Sequence, residues 1–148
     1  MDGQSGQGCA TRPTQPDLNY VNKIIDAVEV MSRALEIGEW ERSMTHLSLL
    51  PFLVEEAAEF ADAVRAHHQH ATADSERELK NELSDVLLQV LFHAELARRR
   101  GAFDIGDVAQ AFVDKLQARA PYLFDGTSEI VQVAEQERLW QLGKQRQQ

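Results

Sequence analysis

The sequence predicts an all-α chain folded as an antiparallel helical bundle, and three observations lead there. Apolar residues recur at three- and four-residue spacing over four long stretches. Capping signals and glycine or proline stops fall between those stretches. No two-residue alternation or Asn-Gly or Asp-Gly hairpin marks a strand pair.

Residues 1–16 are rich in Gly, Gln, Thr and Pro, bury almost nothing, and are expected to form a disordered arm. One domain is expected over 17–148. Its first helix starts near Asp17, carries Leu18, Val21, Ile24, Ile25, Val28, Met31 and Leu35, and ends at Gly38. Glu39–Met44 is expected as a connector holding Trp40. Ser43 or Thr45 can cap a second helix with a stripe of Leu50, Val54, Ala57, Ala61 and Val64, stopping near 67–70. A capping box over 75–78 is expected to open a third helix (Leu79, Leu83, Val86, Leu87, Val90) that turns apolar nearly all round and ends at Gly101. Asp104 caps a fourth, with Val108, Phe112 and Leu116, stopped by Pro121. A fifth is expected from about Ser128 to Lys144.

The 148 residues carry a formal charge of −9. That balance argues against nonspecific binding to nucleic acid or anionic membrane, but not against a phosphorylated small molecule bound with cations. Cys9 is the only cysteine, so no intrachain disulfide can form. With no apolar run of membrane-spanning length and no signal pattern, a soluble cytoplasmic protein is expected.

The chemistry is concentrated in two carboxylate pairs, Glu56/Glu59 and Glu82/Asp85, set in apolar sequence. Residues three apart on a helix share a face, so each pair is a two-pronged oxygen donor. The second and third helices are joined by a short connection and should form an antiparallel hairpin. At ~1.5 Å per residue the pairs then stand about 15 Å and 11 Å from the turn, within one helical turn of the same height. No Lys or Arg adjacent in sequence shares that face. Four such charges call for a hard divalent cation, Mg²⁺ or Mn²⁺. Glu55 and Asp62 point away from the apolar stripe and fit either a solvated face or the site.

The run E-E-x-x-E (Glu55, Glu56, Glu59), 22 residues, then E-x-x-D (Glu82, Asp85) resembles the all-α nucleoside triphosphate pyrophosphohydrolase superfamily, which includes MazG and the dimeric dUTPases. The segments MTHLSLLPFLVEEAAEFADAV and LKNELSDVLLQVLFHAELARRRGAFDIGDVAQAFVDKLQARAPYLF look MazG-like throughout, as does Trp140-x-x-x-Lys144. The resemblance covers about residues 20–144. It implies hydrolysis of a (deoxy)nucleoside triphosphate to the monophosphate and pyrophosphate, with two or more Mg²⁺ or Mn²⁺ ions. It implies Glu56, Glu59, Glu82 and Asp85 as ligands, Glu55 as helper to a further cation or to the water, and Lys115 and Arg119 at the phosphates. Gly38-Glu-Trp40-Glu-Arg42 and Arg119-Ala-Pro-Tyr-Leu-Phe124 depart from the C-P-W-D and R-H-P-H-V-F of many MazG proteins. Those departures set the chain apart from ordinary, broadly tolerant MazG and resemble a dUTP-preferring MazG-like branch, and that resemblance implies dUTP; broad MazG-type specificity is the alternative. A homodimer, or a tetramer built from it, is also implied.

Several residues admit two roles. Trp40 either stacks on a base or plugs the core, and Lys115 either meets phosphate or pairs with Asp107 or Asp114. Trp140 and Lys144 either fold over a nucleotide or dock the tail. His67, His68 and His70 read as a helix end rather than a transition-metal site, and His93 as a core or interface residue. The apolar third helix has more surface than one protomer needs, which predicts packing on a second copy. Two other classes compete: a carboxylate-bridged di-iron bundle, which normally uses Glu-x-x-His where this chain has Glu82-x-x-Asp85, and a noncatalytic helical partner protein.

Overall fold

The computed structural model describes residues 18–148; the arm expected over 1–16, with Cys9, lies outside the described residues. Among the described residues there are helices and no strand. They are α1 (Leu18–Ile37), α2 (Glu39–Ser43), α3 (His46–Gln69), α4 (Ala73–Arg99), α5 (Ile105–Arg119) and α6 (Val133–Arg146), with a 3₁₀ turn at Pro121–Leu123.

Helix boundaries follow local chemistry. The Thr45 hydroxyl accepts from the Ser48 amide, and the Ser48 hydroxyl returns the bond to the Thr45 amide. Thr72 and Ser75 repeat that box, so α4 opens before the box expected over 75–78. Asp104 caps α5 as expected, in a box with Asp107. Gly101 leaves α4 at φ 72°, a left-handed conformation that suits glycine. Two expectations change. The connector after Gly38 contains a short helix, α2, that carries Trp40. The last helix starts at Val133, because Asp125 accepts the Thr127 amide and Gly126 turns at φ 85°, which holds the preceding segment in a turn.

The α3/α4 hairpin, joined by residues 70–72, is the centre of the fold. Its inner faces differ from the expected stripes. On α3 the buried or half-buried ladder is His46, Leu49, Leu53, Glu56, Phe60, Ala63, His67; Leu50, Val54 and Val64 are exposed. On α4 it is Ser75, Leu79, Glu82, Val86, Gln89, His93, while Leu83, Leu87 and Val90 face outward. Both helices are apolar on more than one side, so periodicity alone cannot choose the inward face. The correction matters, because Glu56 and Glu82 sit within the inner ladders rather than beside them.

Helix α1 packs on α4, and Leu35, Leu49 and Phe92, each at most 2% exposed, form the core with Met31, Met44 and Leu96 around them. Buried Glu95 on α4 is satisfied by Arg98 and Arg99. The Arg98 hydrogen bond, more than its charge, holds the Glu95 carboxyl below its ordinary range. Helices α5 and α6 form a second pair whose contact runs through buried Gly143. A Cβ there would lie 2.3 Å from the Ala118 carbonyl oxygen. Gly143→Ala should therefore destabilise the protein by about 1–3 kcal/mol, read as a shift of the denaturant midpoint. An unchanged midpoint would mean that α6 is not docked on α5.

A candidate divalent-cation site between α3 and α4

The hairpin brings Glu56, Glu59, Glu82 and Asp85 together: one carboxylate oxygen from each lies within 4.8 Å of the others. Glu59 is exposed and the other three are half-buried. Glu56 Oε2 and Glu82 Oε2 are sealed from solvent and have no hydrogen-bond partner. Burial first, then the charges of Glu59 and Asp85, pushes the Glu56 carboxyl above its ordinary value. Burial and the same two neighbours raise Glu82, with Glu78 adding to them. No described Arg, Lys or His forms an ion pair with any of the four. Four convergent carboxylates, two of them with an orphaned oxygen, match the donor set of a hard cation, which would satisfy the orphans and offset the repulsion.

A cleft of about 290 Å³ opens beside the cluster, lined by Glu59, Asp62, Ala63, Ala66, Glu78 and Glu82. Asp62 therefore borders the site, although it pairs with Arg65 at 3.1 Å. Glu78, expected only as the end of a capping box, lines this cleft one turn before Glu82. Glu55 is exposed and outside the four-oxygen cluster.

The other candidates lie elsewhere in the chain. Trp40, 51% exposed, meets Phe52 and Phe92 edge-on, with ring centroids at 5.6 and 6.0 Å. It thus caps the core and still presents indole surface to solvent. Lys115 lies on α5, exposed, in an open groove with Phe103, Val108 and Phe112. Arg119 donates through Nε to Gln147 and lies over the Trp140 ring at 5.2 Å. Trp140 therefore docks the tail on α5, and Lys144 is exposed on α6. His67 meets Ser75 at 3.1 Å and Glu76 at 3.4 Å, a helix-end role.

An all-helical bundle whose central hairpin gathers four carboxylates defines the class: a helical protein with a candidate divalent-cation site. The chain belongs to the MazG nucleotide pyrophosphohydrolase domain family, whose pattern it matches over residues 44–124. It is 38% identical over 131 residues to a nucleoside triphosphate pyrophosphohydrolase of Mycobacterium tuberculosis, covering 87% of this chain and 38% of that protein. It is 45% identical over 92 residues to the nucleoside triphosphate pyrophosphohydrolase/pyrophosphatase MazG of Thermotoga maritima, covering 62% of this chain and 33% of that one. The chain thus spans about a third of these relatives' length, 38% and 33%. The crystal structure of a MazG-related protein from Thermotoga maritima superposes with a TM-score of 0.67 at 27% identity, over 82% of this chain and 98% of that one.

Proposed function

We propose that the protein hydrolyses nucleoside triphosphates between the α and β phosphates, releasing the monophosphate and pyrophosphate, with dUTP as the favoured substrate. The observation that carries this reading is the four-oxygen cluster with its two orphaned carboxylate oxygens. Family membership and the names of the relatives support the reaction class. The dUTP preference rests on the resemblance of two segments, residues 38–42 and 119–124, to a dUTP-preferring MazG-like branch.

Glu56, Glu59, Glu82 and Asp85 hold the cations, two or more of Mg²⁺ or Mn²⁺. Bound there, the ions supply charge neutralisation for the triphosphate and acidify the attacking water. Glu55 helps hold a further cation or orients that water. Trp40 offers its free indole face to the base, and Lys115, Lys144 and the Nη groups of Arg119 meet phosphate oxygens. Such a division suits phosphoryl chemistry, which needs positioning and charge neutralisation more than covalent help.

The decisive experiment is a panel of NTPs and dNTPs with Mg²⁺ or Mn²⁺ that resolves pyrophosphate from orthophosphate. Pyrophosphate is expected, fastest from dUTP; orthophosphate as the direct product rejects α–β cleavage. Equal turnover of all nucleotides would leave the reaction class and remove the dUTP preference.

We place the protein in the cytoplasm as a homodimer or a tetramer built from it. Leu83, Leu87, Leu88 and Val90 of α4 and Val54 and Val64 of α3 are exposed in the protomer, apolar side chains that a second copy would cover. Light scattering should report at least a dimer, and Leu83→Lys with Leu87→Lys should return a monomer. No described helix is long and apolar enough to cross a membrane.

A further inference from the structure

His46 and His93 meet at the open end of the α3/α4 hairpin. Their Nδ1 atoms are 2.7 Å apart, their ring planes differ by 7°, and their centroids are separated by 5.0 Å. That separation equals the nitrogen–nitrogen distance plus the two ring radii, so the rings meet edge to edge in one plane. This is an in-line hydrogen bond, not a stack. Arg100 Nη2 lies 3.2 Å from His46 Nε2.

Arginine only donates, which fixes every proton in the chain. His46 Nε2 accepts from Arg100, so the His46 proton sits on Nδ1 and is donated to His93 Nδ1. The His93 proton is then on Nε2, which is buried with no partner. Adding a proton to either ring sets two donors against each other. A proton on His46 displaces only Arg100, whereas a proton on His93 fills the Nδ1 acceptor, so with Arg100 in place the bond between the helices needs a neutral His93.

The surroundings offer no relief to a charged ring. No described carboxylate pairs with either histidine. On α4, Glu95 is taken up by Arg98 and Arg99. On α1, Glu36 pairs with Arg33. On α2, Arg42 donates to the Glu36 carbonyl and Glu41 lies against Gly38. Burial first, then His46, holds the His93 imidazole below its ordinary value.

The two inner ladders of the hairpin are thus tied at both ends. His67 and Ser75 meet beside the turn at 3.1 Å, and His46 and His93 meet at the far end. Glu56 is ~15 Å along α3 from His46, and Asp85 ~12 Å along α4 from His93. A four-oxygen cluster 4.8 Å across does not survive a slip of half a turn between the helices.

We propose that His46, His93 and Arg100 form a positioning element that locks the register of α3 against α4, and with it the carboxylate cage, only while His93 is neutral. Protonation of His93 on acidification releases the lock and weakens the cation site. The inference rests on the reading of the cage as a cation site.

Two measurements test it. Long-range ¹H–¹⁵N spectra of the full-length protein at pH 7.5 should show His46 as the Nδ1–H tautomer, His93 as Nε2–H, and coupling across the shared hydrogen. A charged His93, or His46 with its proton on Nε2, overturns the proposal. Mn²⁺ affinity is then measured by calorimetry from pH 5 to 8 without nucleotide. His93→Leu should lose on the order of tenfold at pH 7.5. His46→Gln with His93→Gln, whose amides can bond at any pH, should restore it. That variant should also lack the wild-type decline in the histidine range, while keeping the decline due to the carboxylates. Wild-type affinity in His93→Leu, or identical pH profiles for wild type and the double variant, overturns the positioning role. Absence of Mn²⁺ binding by the wild type removes both the role and the catalytic reading, yet leaves the tautomers readable. Intact Mn²⁺ binding without triphosphate turnover rejects the catalytic reading alone.

Discussion

Glu82→Gln is expected to lower kcat by about three orders of magnitude or more, because in the proposed mechanism it removes a cation ligand while preserving side-chain volume. The substitution replaces a half-buried carboxylate whose Oε2 has no other partner. It relieves repulsion from Glu59 and Asp85. Helicity should therefore be unchanged and the metal-free protein at least as stable as wild type. That combination separates a ligand from a structural residue. Lost turnover with a lower melting temperature would make Glu82 a packing residue. Turnover within twofold of wild type would remove it from the site.

The second large effect concerns pH in the absence of metal. Glu56 and Glu82 have folded-state values above the ordinary 4.5 of a glutamate. The folded protein thus binds more protons than the unfolded chain above that pH. Their contribution to stability is full below about 4.5. It is lost as pH rises through the raised folded values. Glu95 has the opposite sign: its value is lowered, and its contribution is lost on acidification through that lowered value. The cage is isolated by comparing wild type with Glu56→Gln, which should become relatively more stable as pH rises. Saturating Mn²⁺ should raise the wild-type melting temperature by roughly 5–10 °C at neutral pH, and less at pH 5, where protons compete. A metal-induced shift that is equal at both pH values, or identical in Glu56→Gln, would sink the assignment.

Much of this protein was legible before its structure. Asp104 and Gly101 mark the ends of helices through local hydrogen bonding and backbone freedom, which need no tertiary context. The two carboxylate pairs were visible because helical spacing puts each pair on one face. Their similar distance from a short turn then predicted that they would meet. The five-residue helix at Trp40 was hidden, since so short a run makes fewer than two helical turns and shows no apolar period. His46 also escaped, although it stands three residues before Leu49 on the ladder that contains Glu56.

By itself the sequence determined helix type, most helix ends, and the two acidic prongs, because these depend on contacts within four residues along the chain. Only the tertiary structure decided which face of α3 and α4 turns inward, and that His46 reaches His93. Both helices are apolar on several sides, and a choice between such faces is made by the partner helix rather than by either helix alone.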